Sequence, residues 1–340
     1  MVGIVDYGFY VPAYRIKIAE IADVWGKRAA DIESSLNIFE KSVAGVDEDS
    51  LTMAYAAAAM VFATNKIKKS DIGAVFFGSE TPAYAVNPTS TILAEFLGID
   101  KNYFATDLQF ACKAGTGGLI SSFGLVESNR LKNALVVGSD KANGQPHDAL
   151  EYTVGAGAVA LITGKSDLLL ELVDYQSFSS DTPDFWRRDG MRYPAHSGRF
   201  TGKPGYFQHI FSAASQLLKK TSLTPDKFAA AVFHMPNGKF PQQIAKSLGF
   251  SYQQIEKSLT VSFLGNSYTA SALMGLVSVL ETAKTNDLIL LTSYGSGAGA
   301  DSFIFRVTKN IKTRRKMFSQ IIKNKTYINY TTYLKFTGSL

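Results

Sequence analysis

Gln109-Phe110-Ala111-Cys112-Lys113-Ala114-Gly115-Thr116-Gly117-Gly118 holds the one cysteine of the 340-residue chain and reads as a junction between a strand and a helix. Residues 103–110 precede it as a strand. Small residues (Ala114, Gly115, Gly117, Gly118) and the apolar run 119–126 follow it, so Cys112 is expected near the N-terminus of a buried helix. A helix N-terminus presents free N–H groups and positive potential, which lowers a thiol pKa and favours the nucleophilic thiolate. A free cysteine is also an ordinary small hydrophobe of protein cores, so its role depends on what surrounds it.

Upstream, residues 2–6 read as a strand, 16–25 as an amphipathic helix and 51–63 as a long buried helix. Residues 72–78 form a continuous apolar run ending in Ser79-Glu80-Thr81, followed by a helix at 89–97. Downstream come a strand at 134–139, a polar loop with His147 and Glu151, and a small-residue turn running into a strand at 155–162. From 168 to 206 the composition shifts to Asp, Arg, Pro and aromatic residues, as in an insertion that walls or caps a cleft outside the layered core. The grammar then restarts. A strand at 228–233 ends in His234-Met235-Pro236-Asn237-Gly238-Lys239, Leu264-Gly265-Asn266-Ser267 opens a helix reaching 280, and strands at 288–293 and 303–307 flank the loop Gly295-Ser296-Gly297-Ala298-Gly299.

The two series keep the same spacing. Cys112 follows Glu80 as Asn266 follows His234 (112 − 80 = 266 − 234 = 32), and Ser139 and Glu80 precede Ser293 and His234 by the same 154 positions (293 − 139 = 234 − 80). Buried strands alternating with helices predict a duplicated α/β fold with a mostly parallel sheet and helices outside it. The expected divisions are an N-terminal half at 1–165, a cleft-capping segment at 166–215, a C-terminal half at 216–308 and a basic extension at 309–340. Ligands of such sheets bind beyond the strand carboxyl ends, where Glu80, Cys112, His234, Asn266 and the 295–299 loop all fall.

The bulk properties narrow the function. A hydrophobic fraction of 46% with 19% charged residues is ordinary for a soluble globular protein. No apolar run has the length of a membrane span, and the N-terminus lacks the order of a signal peptide, so a cytoplasmic protein is expected, with no membrane partner. One cysteine excludes an internal disulfide framework, and His147, His196, His209 and His234 show no metal-ligand spacing, so no metal site is expected. The net charge is +6, and Lys309, Lys312, Arg314, Arg315, Lys316, Lys323 and Lys325 crowd ahead of a strand-like end at 327–336. That crowding reads as a solvated helix face, and without interleaved aromatic residues it does not point to nucleic acid.

A thiolate, a carboxylate, an imidazole and an amide at one interface supply what acyl transfer with carbon–carbon bond formation needs. Cys112 would accept an acyl group from a thioester, since an acyl-cysteine stays activated. Glu80 would remove a proton next to the acyl carbonyl, provided burial raises its pKa. His234 would donate a hydrogen bond to the second substrate's carbonyl, Asn266 would orient it, and backbone N–H groups at Cys112 and around Ser296 would hold the oxyanion. Each residue has a plainer reading: a cap or ion-pair partner for Glu80, a satisfied core histidine for His234, a turn residue for Asn266 and a tight turn for 295–299.

Phe110-Ala111-Cys112-Lys113-Ala114-Gly115-Thr116, Phe233-His234-Met235-Pro236-Asn237-Gly238-Lys239-Phe240-Pro241, Gly265-Asn266-Ser267-Tyr268 and Ser293-Tyr294-Gly295-Ser296-Gly297-Ala298-Gly299 resemble archaeal-type hydroxymethylglutaryl-CoA synthases of the thiolase superfamily. The insertion Asp181-Thr182-Pro183-Asp184-Phe185-Trp186-Arg187-Arg188, with Tyr193-Pro194 and Gly198-Arg199-Phe200-Thr201, is similar as well. The resemblance implies a thiolase-like duplicated five-layered αβαβα fold. It implies a reaction in which acetyl-CoA acetylates Cys112, acetoacetyl-CoA is attacked, and hydrolysis releases 3-hydroxy-3-methylglutaryl-CoA for the mevalonate (isoprenoid) route. By matching position, Glu80 is the acid/base residue, Cys112 the acyl carrier and His234 the residue acting on acetoacetyl-CoA. Thr153, Thr201, Asn266 and Ser296 match contacts to the acyl portion, Lys239 matches a CoA contact, and Arg199 lies where CoA is approached beside a partner protein. Arg28 and Ala29 fall in a segment that also lines the site. Where relatives commonly carry Arg in a Phe-Pro-x-Arg stretch, this chain has Gln243, and the lost cation would weaken a contact to the acyl carboxylate or a CoA phosphate. The resemblance further implies no cofactor beyond coenzyme A thioesters, a homodimer, and a complex with acetoacetyl-CoA thiolase bridged by a small zinc-ribbon and OB-fold protein. A decarboxylating ketoacyl-carrier-protein synthase III-like enzyme, a thioesterase-like hydrolase and a non-catalytic acyl-CoA-binding scaffold are the competing readings.

Overall fold

The computed structural model describes residues 1–64, 67–297 and 299–340, so Ala298 of the second glycine-rich loop lies outside the described residues. Nine strands form one large sheet: β1 (Gly3–Tyr10), β2 (Ile72–Gly78), β3 (Phe104–Leu108), β4 (Asn133–Lys141), β5 (Ala156–Gly164), β6 (Leu170–Ser179), β7 (Ala230–Phe233), β8 (Leu288–Gly295) and β9 (Gly299–Val307). Their order is β7-β8-β9-β6-β1-β5-β4-β2-β3. β1 and β6 meet through two residue pairs only, Gly3 with Glu171 and Ile4 with Leu170. That narrow seam divides the sheet into two halves in which β1, β5, β4 and β2 correspond to β6, β9, β8 and β7.

Three neighbouring pairs are parallel (β2 with β3, β2 with β4, β7 with β8). The other five are antiparallel, which corrects the expectation of a mostly parallel sheet. A strand covered on both faces reads as one apolar run whichever way it points, so strand direction is not visible in the run itself.

Period-two alternation sends consecutive residues of one strand into different cores. Val75 and Phe77 face helices Ser50–Thr64 and Thr89–Leu97, packing with Ala57, Val61, Leu93 and Leu97. Ala74 and Phe76 face the opposite way, toward Leu119 and Phe123 of helix Ala114–Glu127 and Leu273 and Leu276 of helix Ser271–Leu280. Those two helices also meet Phe303 and Phe305 of the second half. Helices Gln208–Thr221 and Phe240–Leu248 cover its far side, with Ile210, Leu217 and Ile244 against Phe233, Leu290 and Ile304. The result is helix, sheet, helix, sheet, helix. Each Leu or Phe so buried contributes about 1.5–3 kcal/mol.

The stretch 168–206 is not wholly outside the core. Its first part is β6, paired with β9 from Leu170–Val307 to Ser179–Gly299. Its residues alternate in exposure, and that alternation hides it among polar neighbours. The wall expected of the insertion begins only at Ser180. The expected helix at 16–25 opens instead as strand Tyr14–Lys17 before helix Ile18–Val24.

The strand expected at 327–336 is a helix. Only Thr326–Tyr327 pairs, with Tyr14 and Arg15. Helix Tyr330–Thr337 follows, capped by the Asn329 side chain accepting from the Thr332 N–H and closed by Gly338 in the left-handed region. Tyr330, Tyr333, Leu334 and Thr337 share one face, a helical spacing masked by aromatic and β-branched residues.

Lys309, Lys312, Lys323 and Lys325 of the basic cluster are exposed, and the other three form an internal clamp. Arg314 donates to the carbonyls of Val5 and Asp167 and Arg315 to those of Glu281 and Ala283, while Lys316 pairs with buried Asp6 at 2.9 Å.

Candidate active site

Gly78 ends β2 where a Cβ would stand 2.5 Å from the backbone nitrogen of Gly115, so strand and helix touch and Cys112 is set at the strand ends. Cys112 is 4% exposed, and Ala111 before it is held at φ +43, a conformation costing a non-glycine residue about 1–3 kcal/mol. The following residues over-determine that turn. Lys113 forms a buried ion pair with Asp301 of β9 at 3.0 Å, and Thr116 and Ser177 donate to the same carboxylate.

The Cys112 thiol lies beside the Glu80 carboxyl, whose Oε1 is buried with no hydrogen-bond partner among the described residues. Burial pushes Glu80 up to about 8, aided by the negative charge of Asp140. Burial also pushes the Cys112 thiol well up, and Glu80 adds to the rise. The expected thiolate-stabilising helix end is therefore outweighed in the resting site, where thiol and carboxylate hold protons as a coupled pair.

Asp140, which the sequence reading passed over, organises this pair. Its Oδ1 accepts from the Ser79 hydroxyl, the Glu80 and Thr81 N–H groups and the Thr81 hydroxyl at 2.8–2.9 Å. Its Oδ2 accepts from the Thr269 N–H and hydroxyl. The available signal was an acidic residue at the end of an apolar strand, directly after Ser139 of the repeat. Replacing Asp140 with Asn removes the charge that lifts Glu80, so the pH midpoint of condensation is expected to fall below about 8. Rate against pH for this variant and the parent measures it; an unmoved midpoint would contradict the role given to Asp140.

His234 directly follows β7 and is 1% exposed. Burial lowers it to about 3, so the ring is neutral at physiological pH. Its backbone N–H donates to the Thr292 carbonyl, its own carbonyl accepts from Tyr206 at 2.7 Å, and its buried ring Nδ1 has no hydrogen-bond partner among the described residues. Asn266 follows Gly265, whose φ of +73 and neighbouring carbonyls of Thr153 and Val154 leave no room for a Cβ. The Asn266 N–H donates to the Thr153 carbonyl at 2.7 Å, which clips these two residues together. Val154 and Tyr268 then pack beside Cys112. A cavity of about 500 Å³ opens at Glu80, lined also by Ala111, Phe185, Trp186, Arg187 and Ser296; Cys112, His234, Asn266 and Thr153 are not among its lining residues. Residues from 180 onward wall it: the Thr182 N–H donates to Gly297, Tyr294 donates to Asp184 at 3.0 Å, and Arg187 donates to the Glu80 carbonyl at 3.1 Å.

The remaining expected contacts are not among the residues lining this cavity. Arg28 is exposed, pairs with Asp31 at 3.6 Å and precedes helix Ala29–Leu36, while Lys27 next to it lies over the Tyr152 ring. Lys239 begins helix Phe240–Leu248, and Gln243 is exposed on its first turn. Arg199 is exposed, and the Thr201 hydroxyl donates to Ser197 at 3.3 Å.

The duplicated five-layered fold places the chain among thiolase-like condensing acyltransferases. Residues 1–167 match the model of the hydroxymethylglutaryl-coenzyme A synthase N terminal, and 218–307 that of the 3-oxoacyl-[acyl-carrier-protein] synthase III C terminal. Hydroxymethylglutaryl-CoA synthase of Methanosarcina barkeri is 47% identical over 100% of this chain and 99% of its own, and that of Methanothermobacter thermautotrophicus 48% identical with the same coverage. A solved structure of MvaS in complex with 3-hydroxy-3-methylglutaryl coenzyme A superposes with a TM-score of 0.91 at 25% identity, covering 98% of this chain and 91% of that one. The chain belongs to the hydroxymethylglutaryl-CoA synthase family.

Proposed function

We propose that the chain condenses acetyl-CoA with acetoacetyl-CoA through an acetyl-Cys112 intermediate, a reading carried by the buried Cys112 thiol standing beside a Glu80 carboxyl raised to about 8. The Cys112 sulfur bonds to the acetyl carbon as the bond to the CoA sulfur breaks, and the thiol proton goes to the departing CoA thiolate. Glu80, ionised, takes a proton from the acetyl methyl group. The enolate then bonds to the C3 carbonyl carbon of acetoacetyl-CoA, and the proton on Glu80 moves to the new alkoxide. A neutral His234 donates an N–H to that carbonyl oxygen, and Asn266, Thr153, Thr201 and Ser296 orient the acyl portion. Water cleaves the Cys112 thioester, releasing the free carboxylate of 3-hydroxy-3-methylglutaryl-CoA and restoring the thiol. The chemistry uses coenzyme A thioesters as substrates and needs no cofactor.

Lys239, Arg28, Ala29 and Arg199 take the CoA portion. A homodimer is supported by edge strand β3, flanked by exposed Phe96, Phe104 and Tyr84. Arg199 beside exposed Phe200 offers a surface for the thiolase-bridging partner. A catalytic free thiol suits the reducing cytoplasm. The match of 218–307 favours one second reading, a ketoacyl-carrier-protein synthase III-like condensation without a carboxylate base. Product analysis after mixing acetyl-CoA and acetoacetyl-CoA with the protein separates the two: 3-hydroxy-3-methylglutaryl-CoA is expected, and its absence beside a decarboxylative condensation product would favour the second.

Gln243→Arg restores a cation to the first turn beside Lys239. An exposed charge contact contributes about 0.2–1 kcal/mol, so KM for acetoacetyl-CoA is expected to fall up to about five-fold with kcat unchanged. Steady-state kinetics check this, and an unchanged KM would show that Gln243 contacts neither carboxylate nor phosphate.

A further inference from the structure

The loop 143–152 carries a polar centre that the reaction above does not use. Glu151 is fully buried, and its carboxylate accepts from three directions: the Trp25 indole N–H at 3.0 Å, the His147 backbone N–H at 2.7 Å and the Tyr330 hydroxyl at 2.8 Å. Its backbone carbonyl accepts from the ammonium of Lys41, itself 1% exposed and hydrogen-bonded to the Tyr333 hydroxyl at 3.1 Å. Tyr330 and Tyr333 belong to the C-terminal helix, and Trp25 ends the first helix of the chain. Thus three distant segments grip the residue two positions before Thr153. Thr153 in turn accepts the Asn266 N–H, and Gly155 donates to the Asn266 carbonyl at 2.9 Å.

The same tail also reaches the cleft wall. Arg192 donates to the Thr337 carbonyl at 2.7 Å, and the Tyr193 hydroxyl meets Ser339 at 2.9 Å. His196 of the wall lies 3.3 Å from Asp148, whose carboxylate accepts the Leu150 N–H at the start of the Glu151 turn. The contacts close a ring from the turn, through the tail, to the wall and back. Well-packed hydrophobic side chains would stabilise such a junction as well as buried charges do, whereas a fully satisfied polar network fixes one geometry.

We propose that Glu151 is a positioning residue that makes the C-terminal helix part of the acetoacetyl-CoA site, because its grip by Trp25, His147 and Tyr330 fixes the turn carrying Thr153 and, through Thr153, Asn266. This rests on the proposed function, in which those two residues orient the acyl portion. Asp140 holds the Glu80 backbone and the Lys113–Asp301 pair holds the Cys112 turn, both without the 143–152 loop, while Leu150 and Val154 give Cys112 only apolar packing; acetylation of Cys112 therefore suffers less than the use of acetoacetyl-CoA.

The test uses full-length Tyr330→Phe, Glu151→Gln and Glu151→Ala, with three readouts: acetyl adduct from acetyl-CoA alone, KM and kcat for acetoacetyl-CoA, and Tm. Losing one hydrogen bond to a charged acceptor is expected to raise KM roughly five- to ten-fold in Tyr330→Phe, with the acetylation rate within about two-fold of the parent. Glu151→Gln, which keeps an acceptor oxygen, is expected to fall between the parent and Glu151→Ala. An unchanged KM in folded Tyr330→Phe would overturn the proposal, as would acetylation and condensation falling together in step with lost folded protein. Glu151→Ala could fail to fold, and Tyr330→Phe then decides alone. A parent that forms neither adduct nor product would overturn the proposed function itself, which is a separate outcome from an active parent with an indifferent Tyr330→Phe.

Discussion

Replacing Glu80 with Gln is expected to slow carbon–carbon bond formation by roughly 10²–10⁴-fold, the usual contribution of a positioned general base, while Cys112 still acquires an acetyl group. The split follows from the opposing effects of one charge. Glu80 supplies the base for the methyl proton, yet its charge also helps hold the Cys112 thiol up. Gln removes the base and relieves the thiol, so acetylation survives and condensation does not. The parent rate should rise with pH through about 8, where the carboxylate becomes a base in its buried setting. Stability moves the other way. The Glu80 pKa is raised above its usual 4.5, so its contribution to stability is fully present below about 4.5 and is lost as pH rises through about 8. Glu80→Gln is therefore expected to be more stable than the parent at pH 9, by about a few kcal/mol at most, and to melt at a higher temperature there. Single-turnover kinetics and melting curves at pH 6 and 9 measure both; equal loss of acetylation and condensation would contradict the division of roles.

Cys112→Ala is expected to abolish the acetyl adduct and to reduce product formation by roughly 10⁶-fold, the scale seen when a covalent nucleophile is removed. The site should survive the change. Cys112 is buried in a small cluster with Ala142, Val154 and Tyr268, and the turn is held by the Lys113–Asp301 pair. A folded, inactive protein with unchanged near-ultraviolet circular dichroism is the expected outcome. Residual condensation above a few per cent would show that the acyl group is carried elsewhere.

The duplicated fold was legible from the sequence because duplication fixes positions: Glu80 and His234 follow β2 and β7, which correspond in the two halves of the sheet, whereas Cys112 and Asn266, equally spaced from them, follow the unmatched strand β3 and helix Val261–Leu264. Strand direction was not, since Val75, Phe76 and Phe77 look alike whether their neighbours run parallel or antiparallel. The half-exposed strand Leu170–Ser179 was lost in a polar stretch because one of its faces meets solvent. The C-terminal helix was hidden because Tyr330, Thr331, Thr332 and Tyr333 favour strands locally, and only the packing of Tyr330 and Tyr333 on Glu151 and Lys41 decides otherwise. Asp140 escaped notice for a related reason. Its six donors come from Ser79, Glu80, Thr81 and Thr269, and only the folded chain brings Thr269 to it.

The most direct test of the account is the intact mass of the protein after exposure to acetyl-CoA alone, for the parent, Cys112→Ala and Glu80→Gln. The account predicts a mass increase of one acetyl group in the parent and in Glu80→Gln, none in Cys112→Ala, and discharge of the adduct by acetoacetyl-CoA in the parent only. An adduct that persists in Cys112→Ala, or a folded parent that never acquires one, would contradict it.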